Sequence, residues 1–323
     1  MKTMDRHVQP GRATSIAFWR HQPIVDQQGP SLAEATLAFH DAVGGDWVKL
    51  TPAGTYQARA LGLQDRWEGD FLGRRSITFR PIAQAGDWLR LEAPELGQQE
   101  LQCLHASEWL VGRLPASTPL LATVFSPLSQ ALQLAGAESL LEQARQAPAL
   151  VRHGLDMIAQ RTSRLIDAYR RAGVRGIYYV SQHHVIGVMP CPQLQAWGHD
   201  ADHHVLQAAT GLELNIMHFH GAPLMTRLPG LPPGWRVHFE FTRDHTASMA
   251  RMSPGQSLIP GLDFETLRQG TDTDFRQATI ARLREQQGSE LLCLGAACVL
   301  PLDFPLELAA AWVRTAKDNE HGN

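Results

Sequence analysis

Apolar residues recur at helical spacing in several long segments of the chain, and short apolar runs separate these segments. Over residues 150–172 they return every three or four positions, which predicts an amphipathic helix that ends before Gly173. Residues 176–180 follow as a short apolar run and predict a buried strand. The same order of helix and strand recurs towards the C-terminus. It indicates parallel β-α-β units and therefore an α/β fold.

The number of strands indicates how the sheet is built. The pattern predicts strands near residues 47, 77, 120, 177, 214, 236, 258 and 291. Eight strands that alternate with helices predict a (β/α)8 TIM barrel with extra N-terminal helices, formed as a single domain by residues 1–323. The first helix is expected over 31–43, with Ser31 as its N-cap. An open doubly wound sheet is the alternative, although neither a GxGxxG nor a GxxxxGKS/T loop follows an early strand.

Composition and charge narrow the class of protein. The 323 residues are 44% hydrophobic and 19% charged, which is typical of a globular protein with a large core. The net charge of −3 gives no electrostatic reason to expect nucleic acid or a membrane surface as partner. No apolar run approaches the ~18 residues of a membrane span. The four cysteines form no CxxC pair and fit a reducing compartment, so we expect a cytoplasmic protein.

Candidate chemistry lies where predicted strands end, because in such folds the loops that follow the strands build the functional face. His218 and His220 are two positions apart on one strand, so both side chains point to the same side. Cys298 follows the last predicted strand. Two imidazoles and a thiolate form a three-ligand zinc set, and such a set leaves a fourth position for water or substrate.

Two further residues at strand ends are candidates for the same site. Glu240 is expected as a fourth ligand or as a group that orients a ligand, and Gln182 as a further site residue. A structural interpretation stays open beside the zinc hypothesis. In it, His218 and His220 are polar residues paired with carboxylates, and Cys298 is a small buried apolar residue.

Several stretches of the chain resemble the uroporphyrinogen decarboxylase superfamily, and within it the zinc-dependent methylcobamide:coenzyme M methyltransferase-like branch. The similarity extends over nearly the whole sequence. The matching stretches are FWRHQP at 18–23 with Asp26, DWVKLTP at 46–52, VFSPL at 124–128, LAG at 134–136, residues 173–182, and GLD at 261–263 with GT at 270–271.

The resemblance implies a (β/α)8 barrel and assigns roles to particular residues. In the methyltransferase branch, zinc is held by an H-x-C motif and a later cysteine. The H-x-C position here is occupied by His218, Phe219 and His220, and the later cysteine falls on Cys298. The chain thus departs from that branch at His220, which stands where the branch has cysteine.

The first functional hypothesis is a zinc-dependent methyltransferase that activates a thiol or a similar small-molecule acceptor. The donor would be a methylated corrinoid or another activated methyl group. The chain has no D-x-H-x-x-G corrinoid loop, so a corrinoid would arrive on a partner protein or free in solution.

Two other hypotheses remain open. A decarboxylase-like lyase would need no metal and would hold substrate carboxylates with Arg20 and Arg243. The arginine motif R-Q-A-G-R-Y and the acidic F-S-D-I segment of that branch are not recognisable here. The third hypothesis is a non-catalytic barrel that only binds a metal or a tetrapyrrole.

Overall fold

The computed structural model describes residues 14–92, 95–184, 191–221, 230–240, 257–287 and 292–318. Within these residues, eight strands form one parallel sheet and two more form a separate antiparallel hairpin. In chain order the strands are β1 (Thr14–Ile16), β2 (Val48–Leu50), β3 (Gln64–Trp67), β4 (Arg75–Phe79), β5 (Leu120–Phe125), β6 (Gly176–Ser181), β7 (Ile216–Phe219), β8 (Arg236–Glu240), β9 (Ser257–Leu262) and β10 (Leu292–Ala296).

Helices connect most of these strands. They are α1 (Gly29–Val43), α2 (Tyr56–Arg59), α3 (Gln98–Val111), α4 (Pro127–Ala135), α5 (Ala137–Gln146), α6 (Pro148–Arg171), α7 (Pro192–Ala208), α8 (Phe264–Gln269), α9 (Thr273–Gln287) and α10 (Leu306–Asp318), with a 3-10 helix at Ala85–Arg90. None of the described helices is both long enough and apolar enough to cross a membrane.

The order of strands in the main sheet is β1-β10-β9-β8-β7-β6-β5-β2, and each neighbouring pair is parallel. The two edge strands also approach each other. The amide of Asp46 donates to the carbonyl of Ile16 at 2.9 Å, and the amide of Ile16 donates to the Asp46 carboxylate at 2.8 Å. The predicted α/β fold with an eight-stranded parallel sheet is therefore confirmed.

Both faces of the sheet are buried, as the unbroken apolar runs of its strands require. Every residue of β5 and β6 is buried. Tyr178 and Tyr179 are neighbours on β6 and show the two faces. Tyr179 donates its hydroxyl to Asp202 on α7 at 2.6 Å, whereas the ring of Tyr178 lies 5.2 Å from that of Trp19. We call the face that carries Tyr178 the inner face.

The long predicted helix is confirmed, and the first helix differs at its start. Helix α6 covers Pro148–Arg171, and Gly173 has a φ of +86°, which suits its place after the helix end. The prediction of Ser31 as N-cap was wrong, because α1 begins at Gly29 and its N-cap is Gln28. Pro30 explains the difference, since proline's fixed φ and missing N–H suit the first turn of a helix.

For one of the eight predicted strands, the predicted place in the main sheet was wrong. The segment near residue 77 is β4, which pairs with β3 in the hairpin and has mostly exposed or half-buried residues. Its place in the main sheet is taken by β1, a strand of three residues that the apolar pattern did not reveal because it is so short. The other seven predicted strands lie in the main sheet.

Candidate metal centre

The carboxyl ends of β7 and β10 bring the three predicted ligands together. His218 lies in β7 and His220 follows it, held by a hydrogen bond from its amide to the carbonyl of Ser181 at 2.9 Å. Cys298 follows β10. The ligand atoms of His218, His220 and Cys298 all lie within 4.8 Å of one another, and the Cys298 Sγ is 3.5 Å from the His220 Nδ1. The 3.5 Å separation of Cys298 and His220 fits two ligands of one tetrahedral zinc ion with Zn–N of ~2.0–2.1 Å and Zn–S of ~2.3 Å.

His218 has a nitrogen whose environment fits a metal ligand. Its Nε2 is buried and has no hydrogen-bond partner among the described residues. Leaving a buried polar atom unsatisfied costs ~1–3 kcal/mol, and an ion at this position would remove that cost. Burial, together with the nearby His238 and His220, holds the pKa of His218 well below its usual value. His218 is therefore neutral, as a zinc ligand must be.

His220 and Cys298 shift each other's protonation in opposite directions. The hydrogen bond with Cys298 raises the pKa of His220 despite burial, and the negative charges of Cys298 and Glu240 add to that effect. Burial alone would raise the pKa of the Cys298 thiol. The hydrogen bond and charge of His220, the amide of Val299 and the charge of Lys49 outweigh it, so the pKa of Cys298 is lowered. The thiolate form that binds zinc is thus favoured.

The three donors line a cavity of about 790 Å³, a volume that suits a small-molecule substrate. Gln182 and Glu240 line the same cavity, as expected from their places at strand ends. The side-chain oxygen of Gln182 accepts a hydrogen bond from Gln133 at 3.2 Å. Neither Gln182 nor Glu240 belongs to the cluster of three ligand atoms. Their roles remain predictions.

A buried lysine lies in the same cavity and was not among the predicted site residues. Lys49 is on β2, with Nζ 4.7 Å from the ring centroid of Tyr178 and 5.5 Å from that of Trp19. It donates to the hydroxyl of Thr51 at 3.3 Å. Burial lowers the pKa of Lys49 to about 7. The signal was a charged residue within an apolar run, since lysine is rarely buried without a specific reason.

A third histidine lies beside His218 and was also missed. His238 on β8 is paired in register with His218 on β7, and the two rings stack with centroids 4.6 Å apart. Both side chains therefore lie on the inner face. Histidine at an inward position of a predicted strand was the available signal. The register that places it beside His218 could not be read from the sequence.

The arginines of the decarboxylase hypothesis do not meet at this cavity. Arg20 donates to the carbonyl of Leu302 at 3.4 Å, lies 5.4 Å from the ring of Phe39, and does not line the cavity. Arg243 lies outside the described residues. The cavity is lined instead by Arg74 and Arg75.

Both of these arginines already have carboxylate partners. Arg74 forms an ion pair with Asp70 at 2.8 Å. Arg75 forms one with Asp65 at 2.6 Å.

Comparisons with known proteins agree with this fold. The chain resembles a methyltransferase from Methanosarcina mazei in structure, with a TM-score of 0.75, 16% identity, and coverage of 92% of this chain and 88% of that one. It also resembles a B12-independent methionine synthase from Shewanella sp. W3-18-1, solved in complex with selenomethionine. The TM-score is 0.58, the identity is 9%, and the coverage is 95% and 96%. A comparison with curated proteins gave no match.

A match between the sequence and a family profile establishes the family. Residues 23–319 match the profile of the uroporphyrinogen decarboxylase (URO-D) family, which is nearly the whole chain. The resemblance predicted from short motifs is thereby confirmed, and the chain belongs to the uroporphyrinogen decarboxylase (URO-D) family.

Proposed function

We propose that the chain is a zinc-dependent alkyl transferase, most simply a methyltransferase, that acts on a small thiol acceptor. The observation that carries this proposal is the cluster of His218, His220 and Cys298, which opens into a cavity of about 790 Å³. Three protein donors leave a fourth position for a substrate, as in catalytic rather than structural zinc sites.

The comparisons support the same class of reaction. The two structural relatives are named as a methyltransferase and a methionine synthase. A shared fold does not establish a shared function, so the donor cluster has to carry the argument. We also propose that the parallel sheet closes into a (β/α)8 barrel, that residues 1–323 form one domain, and that the protein acts in the cytoplasm.

The residues of the site have distinct parts in this proposal. His218, His220 and Cys298 would hold zinc, which when bound would lower the pKa of an acceptor thiol and favour its thiolate form. Glu240 and Gln182 line the cavity and would orient the acceptor. The methyl group would come from a methylated corrinoid, free or on a partner protein, or from another activated methyl donor.

The test combines metal analysis with an activity assay. Protein purified without chelator should carry about one zinc per chain, as expected for a single three-donor site. It should also transfer methyl groups from free methylcobalamin to simple thiols. Cys298→Ala should lose both properties, whereas the matched control Cys191→Ala, at another partly buried cysteine, should keep both.

Two results would contradict the proposal. One is a parent protein that holds well under ~0.2 zinc per chain even after zinc is supplied, which a preformed three-donor site would not do. The other is a Cys298→Ala variant that binds zinc as tightly as the parent, because Cys298 would then not be a ligand. Circular dichroism of both cysteine variants should show a retained fold, since the core does not depend on the metal.

A further inference from the structure

A series of hydrogen bonds runs from the backbone of β10 to the candidate ligand His218. Nε2 of His238 lies 2.9 Å from the carbonyl oxygen of Ala296. Nδ1 of His238 lies 2.7 Å from Nδ1 of His218. All three residues are buried, so water does not compete for these bonds.

The carbonyl group of Ala296 indicates which ring nitrogens of His238 and His218 carry a hydrogen. A carbonyl oxygen only accepts, so Nε2 of His238 must carry the hydrogen that it donates to Ala296. A buried imidazole in its neutral form carries one hydrogen, which here is on Nε2, so Nδ1 of His238 is a lone-pair acceptor. The Nδ1 of His218 must then be the donor. Its Nε2 is left with the lone pair, and this is the buried nitrogen without a hydrogen-bond partner in the described part of the chain.

A hydroxyl group lies close to the same nitrogen of His238 and is compatible with this assignment. The hydroxyl of Tyr178 lies 2.6 Å from Nδ1 of His238. Burial raises the pKa of Tyr178 well above its usual value, so the phenol keeps its proton. The hydroxyl can donate to Nδ1 of His238, which agrees with a lone pair on that atom.

A glycine on the strand between β8 and β10 makes room for this arrangement. A Cβ added to Gly261 on β9 would lie 2.9 Å from Nε2 of His238 and 2.8 Å from the carbonyl oxygen of Ala296. Those two atoms are the ones that form the hydrogen bond. A larger residue at position 261 would therefore force His238 and Ala296 apart.

The same bonds connect the two strands that supply the ligands. Ala296 ends β10, two residues before Cys298, and His218 lies in β7. His238 on β8 bridges them through its two ring nitrogens. It thus restrains both the ring of His218 and the backbone that leads to Cys298.

We infer that His238 is a positioning residue, which holds His218 in the Nδ1–H tautomer and presents its Nε2 to the metal. A ligating histidine commonly donates its second N–H to an acceptor that fixes ring and tautomer, and here that acceptor is another histidine. The inference rests on the proposed zinc site for the identity of the ion. The tautomer assigned to His218 does not depend on the identity of the ion.

Zinc affinity is the first readout. The dissociation constant is measured by competition with a chromogenic chelator for the parent, His238→Phe and His238→Gln. Phenylalanine keeps a ring against Trp19 and Tyr178 but removes both hydrogen bonds. We expect it to weaken zinc binding ~10–100-fold. Glutamine offers one donor and one acceptor and should recover most of the loss. Equal affinity for zinc in the parent and His238→Phe would overturn the inference.

The tautomer of His218 is the second readout and needs no metal. Long-range 1H–15N spectra of the chelator-treated protein should show His218 protonated at Nδ1 in the parent and in His238→Gln, with this preference lost in His238→Phe. An Nε2–H form in the parent would overturn the inference even if zinc binds. If the parent binds no zinc, the proposed function fails and the spectra alone decide the inference. If His238→Phe does not fold, the parent and His238→Gln still decide it.

Discussion

The thiol of Cys298 lies 3.5 Å from Nδ1 of His220, although strands β8 and β9 separate the two strands that these residues follow. The contact therefore reaches across the inner face rather than between neighbouring strands. Each group favours the charged form of the other, because the pKa of His220 is raised by the hydrogen bond with Cys298 and that of Cys298 is lowered. Both shifts favour an imidazolium beside a thiolate over two neutral groups.

Alkylation of the metal-free protein tests this pairing. The thiolate is the reactive form, so the rate of Cys298 modification by iodoacetamide should fall as the pH falls through its lowered pKa. His220→Gln should move that transition to higher pH, because the imidazolium is lost. The rate is followed by mass spectrometry of the Cys298 peptide. Cys293 is an internal comparison, since burial raises its pKa and it should react more slowly. An unchanged transition in His220→Gln would contradict the pairing.

We expect no detectable decarboxylation of uroporphyrinogen, with or without added zinc. Binding several carboxylates requires cationic partners, and unpaired charges in a site are costly. Arg74 and Arg75 line the cavity but are already paired with Asp70 and Asp65. Chromatography of the oxidised products, with an active decarboxylase run in parallel, would measure the yield. Robust formation of coproporphyrinogen by the purified protein would favour the lyase hypothesis instead.

The three residues of the candidate metal centre could be selected from the sequence because their signal is local. His218 and His220 are separated by Phe219 alone, in a segment that the sequence predicts to be a strand, and a two-residue period places both side chains on the same face. Cys298 was found because it follows a strand, and parallel strands end on one side of a sheet. For these residues the sequence pattern was enough.

The places of His238 and Lys49 beside the site could not be predicted, because they depend on strand register and on burial. His238 matters only because it is paired opposite His218, and nothing in the residues around 238 specifies that register. The amine of Lys49 lies near the rings of Trp19 and Tyr178, and both of these residues are far from it in sequence. Strand β1 was missed for a related reason, since its three residues are too few to form a pattern.

A buried carboxyl group on the other face of the sheet predicts how stability depends on pH. Asp202 on α7 accepts the hydroxyl of Tyr179 through one oxygen, and its Oδ2 has no partner among the described residues. Burial raises its pKa to about 7 despite that hydrogen bond. The unfolded value is ~3.9. Between these two values the folded state binds more protons than the unfolded state, so Asp202 makes stability fall as the pH rises from ~4 to about 7.

Asp202→Asn should remove the loss of stability that Asp202 causes as the pH rises. An amide oxygen can still accept from Tyr179, but it carries no charge to bury. The variant should gain up to ~4 kcal/mol over the parent at pH 8 and nothing at pH 4. Urea unfolding at both pH values measures the difference. Asp200→Asn, an exposed change on the same helix, is the matched control and should have little effect at either pH. A gain that is equal at pH 4 and pH 8 would contradict the assignment.

The histidine at position 220 sets the charge of the proposed zinc site. Two neutral imidazoles and one thiolate around Zn²⁺ give a formal charge of +1, whereas one imidazole and two thiolates give zero. The more positive centre lowers the pKa of a bound thiol further. It also withdraws more electron density, so the thiolate that it favours is a weaker nucleophile. His220 therefore suits a reactive methyl donor and activity at lower pH.

His220→Cys tests this relationship by exchanging one kind of ligand for the other. The variant should keep its zinc, because cysteine binds zinc as a thiolate. The midpoint of its pH–rate profile for thiol methylation should move to higher pH, because the less positive centre lowers the thiol pKa less. His220→Ala is the control, since it removes a donor and should lose zinc affinity. Zinc titrations and pH–rate profiles of the parent and both variants would measure these effects. A profile of His220→Cys that matches the parent, with zinc fully bound, would show that the charge at this position does not set the acceptor's reactivity.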